Sequence, residues 1–172
     1  MNELITKAMT FAQSAHNVQK YGDCYPYFKH LQDVYDILIE FGFTEKNDLD
    51  LLVAAWLHDT IEDTNTSFGD IRSRFGLHVA DIVYCLTDEL GRNRKERKEK
   101  TYPKIRSNPE SIIIKVADRI ANVRFSSTQD SGHIKMYQDE FTEFQYQLRI
   151  YKQIDSMWEH LEKITFQNIA TK

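Results

Sequence analysis

Glycine and proline are scarce, with six and three among 172 residues. So few breakers leave the chain few places to turn, and no linker-like stretch or repeat is visible. One domain over residues 1–172 is the simplest parse, and that length suits one core of ordinary size. Cysteine is nearly absent. Cys24 and Cys85 stand in neither a CxxC nor a zinc-finger spacing, and they read as reduced thiols in a cytoplasmic protein. No apolar run approaches the roughly 20 residues that a membrane span needs. The opening stretch MNELITKAMTFAQSAH carries acid and lacks the basic-then-apolar order of an export signal. An excess of positive charge is missing too: the net charge is −4, which argues against non-specific nucleic-acid binding.

What the chain does have is the balance of a soluble globular protein and helical periodicity, with 41 % hydrophobic and 28 % charged residues. Residues 3–16 carry Leu4, Ile5, Ala8, Phe11, Ala12 and Ala15 at helical spacing. The turn-rich stretch Tyr21 to Tyr27, YGDCYPY, interrupts that pattern. A second helix is expected from about Phe28 to Phe41, stopped by Gly42. Asn47 or Asp48 can cap a third, LDLLVAAWLHDTIED, which is apolar nearly all round until His58 and should be buried and central. Ser67 with Asp70 opens a short helix that Gly76 ends, and another runs from Leu77 to about Thr87. Asn108-Pro109 starts a helix through Arg124, and residues 133–169 read as two more. No pair of convincing strands is present, so the fold class is all-α.

Charge embedded in apolar sequence is the unusual feature. His58 and Asp59 end the run LLVAAWL, and Asp118 interrupts IIIKVADRIANV, where ionised groups are expensive unless paired or metal-bound. His30 sits near the start of the second helix. Two imidazoles and two carboxylates suit a divalent ion such as Mn²⁺, Fe²⁺ or Zn²⁺. Each residue alone has a bland explanation; Asp118, for one, can pair with its neighbour Arg119. Jointly they point to a metal site. Glu62 and Asp63 follow His58 and Asp59 by one helical turn, so on a continuous helix they would project beside the metal. A carboxylate there can orient an activated water or shuttle protons. The segment RNRKERKEK (92–100) reads either as a solvated helix face or as an electropositive wall for a polyanionic substrate.

These residues match a known pattern. YPYFKH (25–30), AAWLHDTIEDTNTSFGDIRSRFG (54–76), LTDE (86–89), ERK (96–98) and KVADRIANVR (115–124) occur in the order and at separations similar to those of one family. Over roughly residues 8–125 the chain resembles the HD hydrolase domain of RelA/SpoT-type alarmone hydrolases, particularly the small stand-alone members; HDTIEDT is the specific part. The resemblance implies that His30, His58, Asp59 and Asp118 hold one Mn²⁺ and that Glu62 and Asp63 form the catalytic acid/base pair. It implies a nucleotide substrate, the guanosine polyphosphate alarmone (ppGpp or pppGpp), from which the 3′-pyrophosphate is removed. Asn122 falls near the expected ribose, and Lys115 and Arg94 near substrate phosphate. Lys20 matches one of a basic pair, while Tyr21 replaces the other. Phe141 aligns with an aromatic that contacts substrate in some relatives.

Other functions stay open at the level of sequence. Some animal relatives of the family remove the 2′-phosphate of NADPH, and other HD enzymes cleave nucleoside monophosphates. A catalytically idle module that binds nucleotide or a partner protein is the remaining alternative. The Tyr- and Phe-rich residues 137–166 suit either a core or the surface of a homo-oligomer. No residues remain to build an alarmone-synthesis domain.

Overall fold

The structure, a computed structural model, describes residues 2–129 and 133–167. Helix α1 (Glu3–His16) is followed by a hairpin of two very short antiparallel strands, β1 (Lys20–Tyr21) and β2 (Tyr25–Pro26), with Tyr21 opposite Tyr25. Then come α2 (Phe28–Glu40), α3 (Leu49–Leu57), α4 (Thr60–Asp63), α5 (Phe68–Phe75) and α6 (Leu77–Leu86). The second half holds α7 (Arg94–Arg106), α8 (Pro109–Ser127), α9 (His133–Leu148), a 3-10 turn (Lys152–Ile154) and α10 (Asp155–Phe166). Residues 168 and 169, expected to end the last helix, lie outside the described residues. The described residues are thus all-α apart from the hairpin, which the sequence presents only as a turn.

The caps explain several boundaries. Asn2 accepts from the Leu4 amide, Ser67 and Asp70 form a reciprocal capping box, and Asn108 accepts from the amides of Glu110 and Ser111 ahead of Pro109. Each satisfies amides that the first turn of a helix leaves without a partner.

Helix α3 is the buried one, as its all-round apolar sequence requires: Leu51 through Leu57 are all in the core. It packs against α1, α2 and α6. Trp56 lies between Phe28 and Tyr35, with ring centroids 5.2 Å and 5.4 Å away. Helix α8 is the second spine, in contact with α2, α6, α7, α9 and α10.

One expectation changes. The stretch 49–63 is not a continuous helix but breaks at His58-Asp59 before the short α4. Two side chains take backbone carbonyls there: His58 Nδ1 bonds Ala55 O at 2.8 Å, and the Thr60 hydroxyl donates to Leu57 O at 2.6 Å. Such local bonds compete with the helical ladder.

The aromatic C-terminal segment is core in part, with Tyr146 left exposed. Phe144 and Trp158 are buried, with ring centroids 5.3 Å apart. Trp158→Ala is expected to lower stability by about 3–5 kcal/mol in urea unfolding. A loss below about 1 kcal/mol would show that α10 is not part of the cooperative core.

Candidate active site

The break after α3 turns His58 and Asp59 toward α2 and α8, which bring His30 and Asp118 to the same point. Donor atoms of His30, His58 and Asp118 all lie within 4.8 Å of one another, a group able to hold a metal ion. Asp59 Oδ2 stands 2.9 Å from His58 Nε2 and 3.4 Å from His30 Nε2, while Asp118 Oδ1 is 3.3 Å from His30 Nε2. All four sequence-predicted ligands therefore converge. Both imidazoles are fully buried.

The electrostatics follow from that crowding. Burial opposes ionisation of Asp59, yet the charge and hydrogen bonds of His58 and His30 outweigh it and hold the carboxyl well below the usual carboxylate range. Burial opposes Asp118 in the same way, and Lys115 and His30 override it. For His30, burial pushes the imidazolium down, but the hydrogen bonds it donates to the carboxylates of Asp118 and Asp59 raise it to about 9.

Above this group opens a cavity of about 240 Å³. Its acidic lining residues are Asp59, Asp118, Glu62 and Asp88. The Asp88 amide donates to Glu62 Oε2 at 2.9 Å, and burial together with the charges of Asp88 and Asp59 raises the Glu62 carboxyl. Asp63 is not among the lining residues. It turns toward Gln19, whose amide donates to Asp63 Oδ2 at 2.9 Å. The helix break accounts for this, since residues four apart share a face only where the helix is unbroken.

The same cavity also holds cations. Arg94, Lys98, Lys115 and Arg119 all line the cavity. Arg94 Nε bonds Glu140 Oε1 at 2.7 Å, Arg119 Nη1 lies 3.2 Å from Glu140 Oε2, and Lys98 bonds the same carboxylate. Burial first, then the Arg119 and Arg94 charges, lower the Lys98 ammonium to about 7. Both readings of 92–100 thus hold in part. Arg94 and Lys98, one turn apart, face the cavity, while Arg92, Lys95 and Lys100 make pairs with Glu96 and Glu99 along the helix. Arg119 pairs with Glu140 rather than Asp118, and Asp118 Oδ2 takes Lys115 at 3.0 Å.

Other sequence-predicted substrate residues are placed as follows. Asn122 lines the cavity, but its amide is engaged at both ends, accepting from Tyr21 and donating to Asp118. Lys20 is exposed and outside the lining. Phe141 is buried edge-on against Phe166 at 5.2 Å, whereas Tyr137, one turn earlier, lines the cavity. Sequence reasoning missed Tyr27, whose hydroxyl donates to Asp59 Oδ2 at 2.6 Å, as well as Lys98, Arg119, Asp88 and Tyr137. Only Lys98 carried a usable signal, its i+4 spacing from Arg94.

Comparison with known proteins agrees with this geometry. Residues 8–144 match the profile of a family described as HD domain. A protein of Aquifex aeolicus named guanosine-3′,5′-bis(diphosphate) 3′-pyrophosphohydrolase is 35 % identical over 127 residues, covering 71 % of this chain but only 18 % of that longer protein. The protein of the same name, MESH1, from Xenopus tropicalis is 38 % identical over 125 residues, covering 70 % of this chain and 68 % of its own. Among solved structures, one of a metazoan ortholog of SpoT that hydrolyzes ppGpp superposes with a TM-score of 0.81 at 24 % identity, covering 100 % of this chain and 98 % of that one, a likeness of fold. The protein lmo0812 from Listeria monocytogenes EGD-e gives a TM-score of 0.68 at 26 % identity, over 85 % of this chain and 97 % of that one. With the family profile spanning most of its length and its ligand set gathered at one cavity, this chain belongs to the HD domain family.

Proposed function

We propose that the protein is a Mn²⁺-dependent hydrolase of the cytoplasm that removes the 3′-pyrophosphate from ppGpp and pppGpp. The observation that carries this is one cavity lined both by a buried His/Asp group and by Arg94, Lys98, Lys115 and Arg119. A nucleotide with phosphates at both ends of its ribose presents charge that both sets of residues can use. Relatives named for this reaction match 70–71 % of this chain. Two free cysteines suit a reducing compartment.

The residues fit a divalent cation. His58 Nδ1 donates to Ala55 O, so the neutral ring directs the lone pair of Nε2 inward, and that buried nitrogen has no hydrogen-bond partner among the described residues. Asp59 Oδ2, another electron-rich atom, faces it at 2.9 Å. Either a proton or a metal ion must lie between two such atoms, and imidazole with carboxylate is a donor set that suits Mn²⁺. His30, His58, Asp59 and Asp118 would hold it. When bound, such an ion polarises a phosphate oxygen and acidifies a water.

The chain supplies the rest. Glu62, fixed by the Asp88 amide and made more basic by its surroundings, takes the proton of the attacking water. Asp63 joins it only when the bond to Gln19 opens. Lys115 and Arg94 neutralise phosphate oxygens, with Lys98 and Arg119 extending the same wall. Lys20 and Tyr21 both lie outside the cavity lining, and Lys20, being exposed, can meet only the outer part of a substrate.

Three outcomes are expected. With Mn²⁺, pyrophosphate should be released from ppGpp, with NADPH and deoxynucleoside monophosphates assayed in parallel. Asp59→Ala should abolish both metal binding and turnover. Glu62→Gln should keep metal binding and lose about 10²-fold or more in kcat. Turnover that survives Asp59→Ala would exclude the mechanism, and release from another nucleotide alone would keep the chemistry but change the substrate.

The metal-free protein should also respond to pH. The His30 pKa is raised in the fold to about 9, so its contribution to stability is full below its ordinary value near 6.5 and lost as pH rises through about 9. The Tm of the metal-free protein should fall across that window, and Mn²⁺, taking the proton's place, should flatten the fall. A Tm profile unchanged by Mn²⁺ would contradict the ligand assignment.

A further inference from the structure

Tyr21 occupies the place where the family resemblance leads to a second basic residue, and the fold gives it other work. Its ring lies 4.1 Å from that of Phe125 on α8 and 4.9 Å from that of His30. Gly22 follows with φ +60°, and a Cβ there would meet Phe125 Cζ at 2.8 Å. Glycine thus lets the hairpin settle directly on α8. Seated this way, the hairpin delivers the Tyr21 hydroxyl to Asn122 Oδ1, to which it donates at 3.0 Å. Burial, and after it the charge of Asp118, raise this phenol far above its ordinary range, so it keeps its proton.

A primary amide has one accepting end and one donating end. With Tyr21 on the accepting end, the amino group of Asn122 is turned to Asp118, where it donates to Oδ1. A reversed amide would set its oxygen against the carboxylate. Asp118 Oδ1 is the oxygen that faces His30 Nε2, while Oδ2 is held by Lys115. Tyr27 already holds Asp59 by a direct bond.

We propose that Tyr21 is a positioning residue that, acting through Asn122, fixes the Asp118 carboxylate for the metal ion. The proposal rests on the metal-hydrolase function proposed above. Two tyrosines on and beside one hairpin then orient the two carboxylate ligands, one directly and one through an amide. The chain gives up a positive charge at this position in exchange for a fixed ligand.

The test is Mn²⁺ affinity by calorimetry on the full chain, for the wild type, Tyr21→Phe, Asn122→Ala and the double variant. Tyr21→Phe keeps the ring on Phe125 and removes only the hydroxyl. Its metal-free Tm should stay within about 4 °C of wild type. Its Kd for Mn²⁺ should rise about 10-fold or more, the usual effect of losing a group that orients a ligand. The double variant should bind no more weakly than Asn122→Ala alone, because the hydroxyl acts only through the amide. An unchanged Kd in Tyr21→Phe, or losses that simply add in the double variant, would overturn the proposal. Should Tyr21→Phe fail to fold, Gly22→Ala, which keeps the hydroxyl but lifts the hairpin and so draws it away from Asn122, must weaken Mn²⁺ binding, and an unchanged Kd there is equally fatal. If the wild type binds Mn²⁺ and the cycle behaves as expected, yet ppGpp is not cleaved, the substrate assignment falls and the role of Tyr21 stands.

Discussion

Two carboxylates and two imidazoles with their electron-rich atoms turned toward one buried point form the constraint on which the rest of the structure depends. In a core as dry as the one around α3 and α8, that arrangement is repulsive without positive charge at its centre. The surroundings are organised to hold it. His58 is locked by Ala55 O, Asp59 by Tyr27, and Asp118 by Lys115 and Asn122. These partners lie on α3, just before α2 and on α8, so the group is assembled only when those helices are packed. The buried apolar faces of α2, α3 and α8 supply that packing.

The same dependence decides what could be read from the sequence. His58, Asp59 and Asp118 stand out because polar residues in an apolar helix have few explanations. The central position of α3 and the caps at Ser67 and Asn108 were legible for the same reason, being written in neighbouring residues. Tyr27, Asp88, Arg119 and Tyr137 were not. Tyr27, Asp88 and Arg119 fall inside the matched segments, but their roles lie in what they touch across the fold, and Tyr137 has no local mark at all. The hairpin escaped because strands of two residues are too short to show alternation. Asp63 shows how a sound local rule fails: helical spacing placed it beside Glu62, and a two-residue break turned it toward Gln19.

The two sets of charge in the cavity come from different parts of the chain. The acidic set comes largely from the first hundred residues and α8; the basic set comes from α7 and α8, braced by α9. Helix α8 belongs to both, with Asp118 and Arg119 adjacent in sequence but pointing into opposite networks. A displacement of α8 would disturb metal ligation and phosphate recognition together. That coupling explains why so much packing converges on this one helix.

Glu140 has a consequence for encounter as well as for binding. One carboxylate shared by Arg94, Lys98 and Arg119 cannot cancel three cations, so even with Lys98 partly neutral this wall retains an excess of positive charge. The molecule as a whole carries −4. Set beside Asp59, Glu62, Asp88 and Asp118 in the same cavity, that positive excess is local, and a polyanion feels it only at close approach. That field reaches about 8 Å at physiological ionic strength and contracts as salt is added. The arrival rate of a highly phosphorylated ligand will depend on ionic strength much more than that of a singly phosphorylated one, a kinetic preference acting before any contact is made.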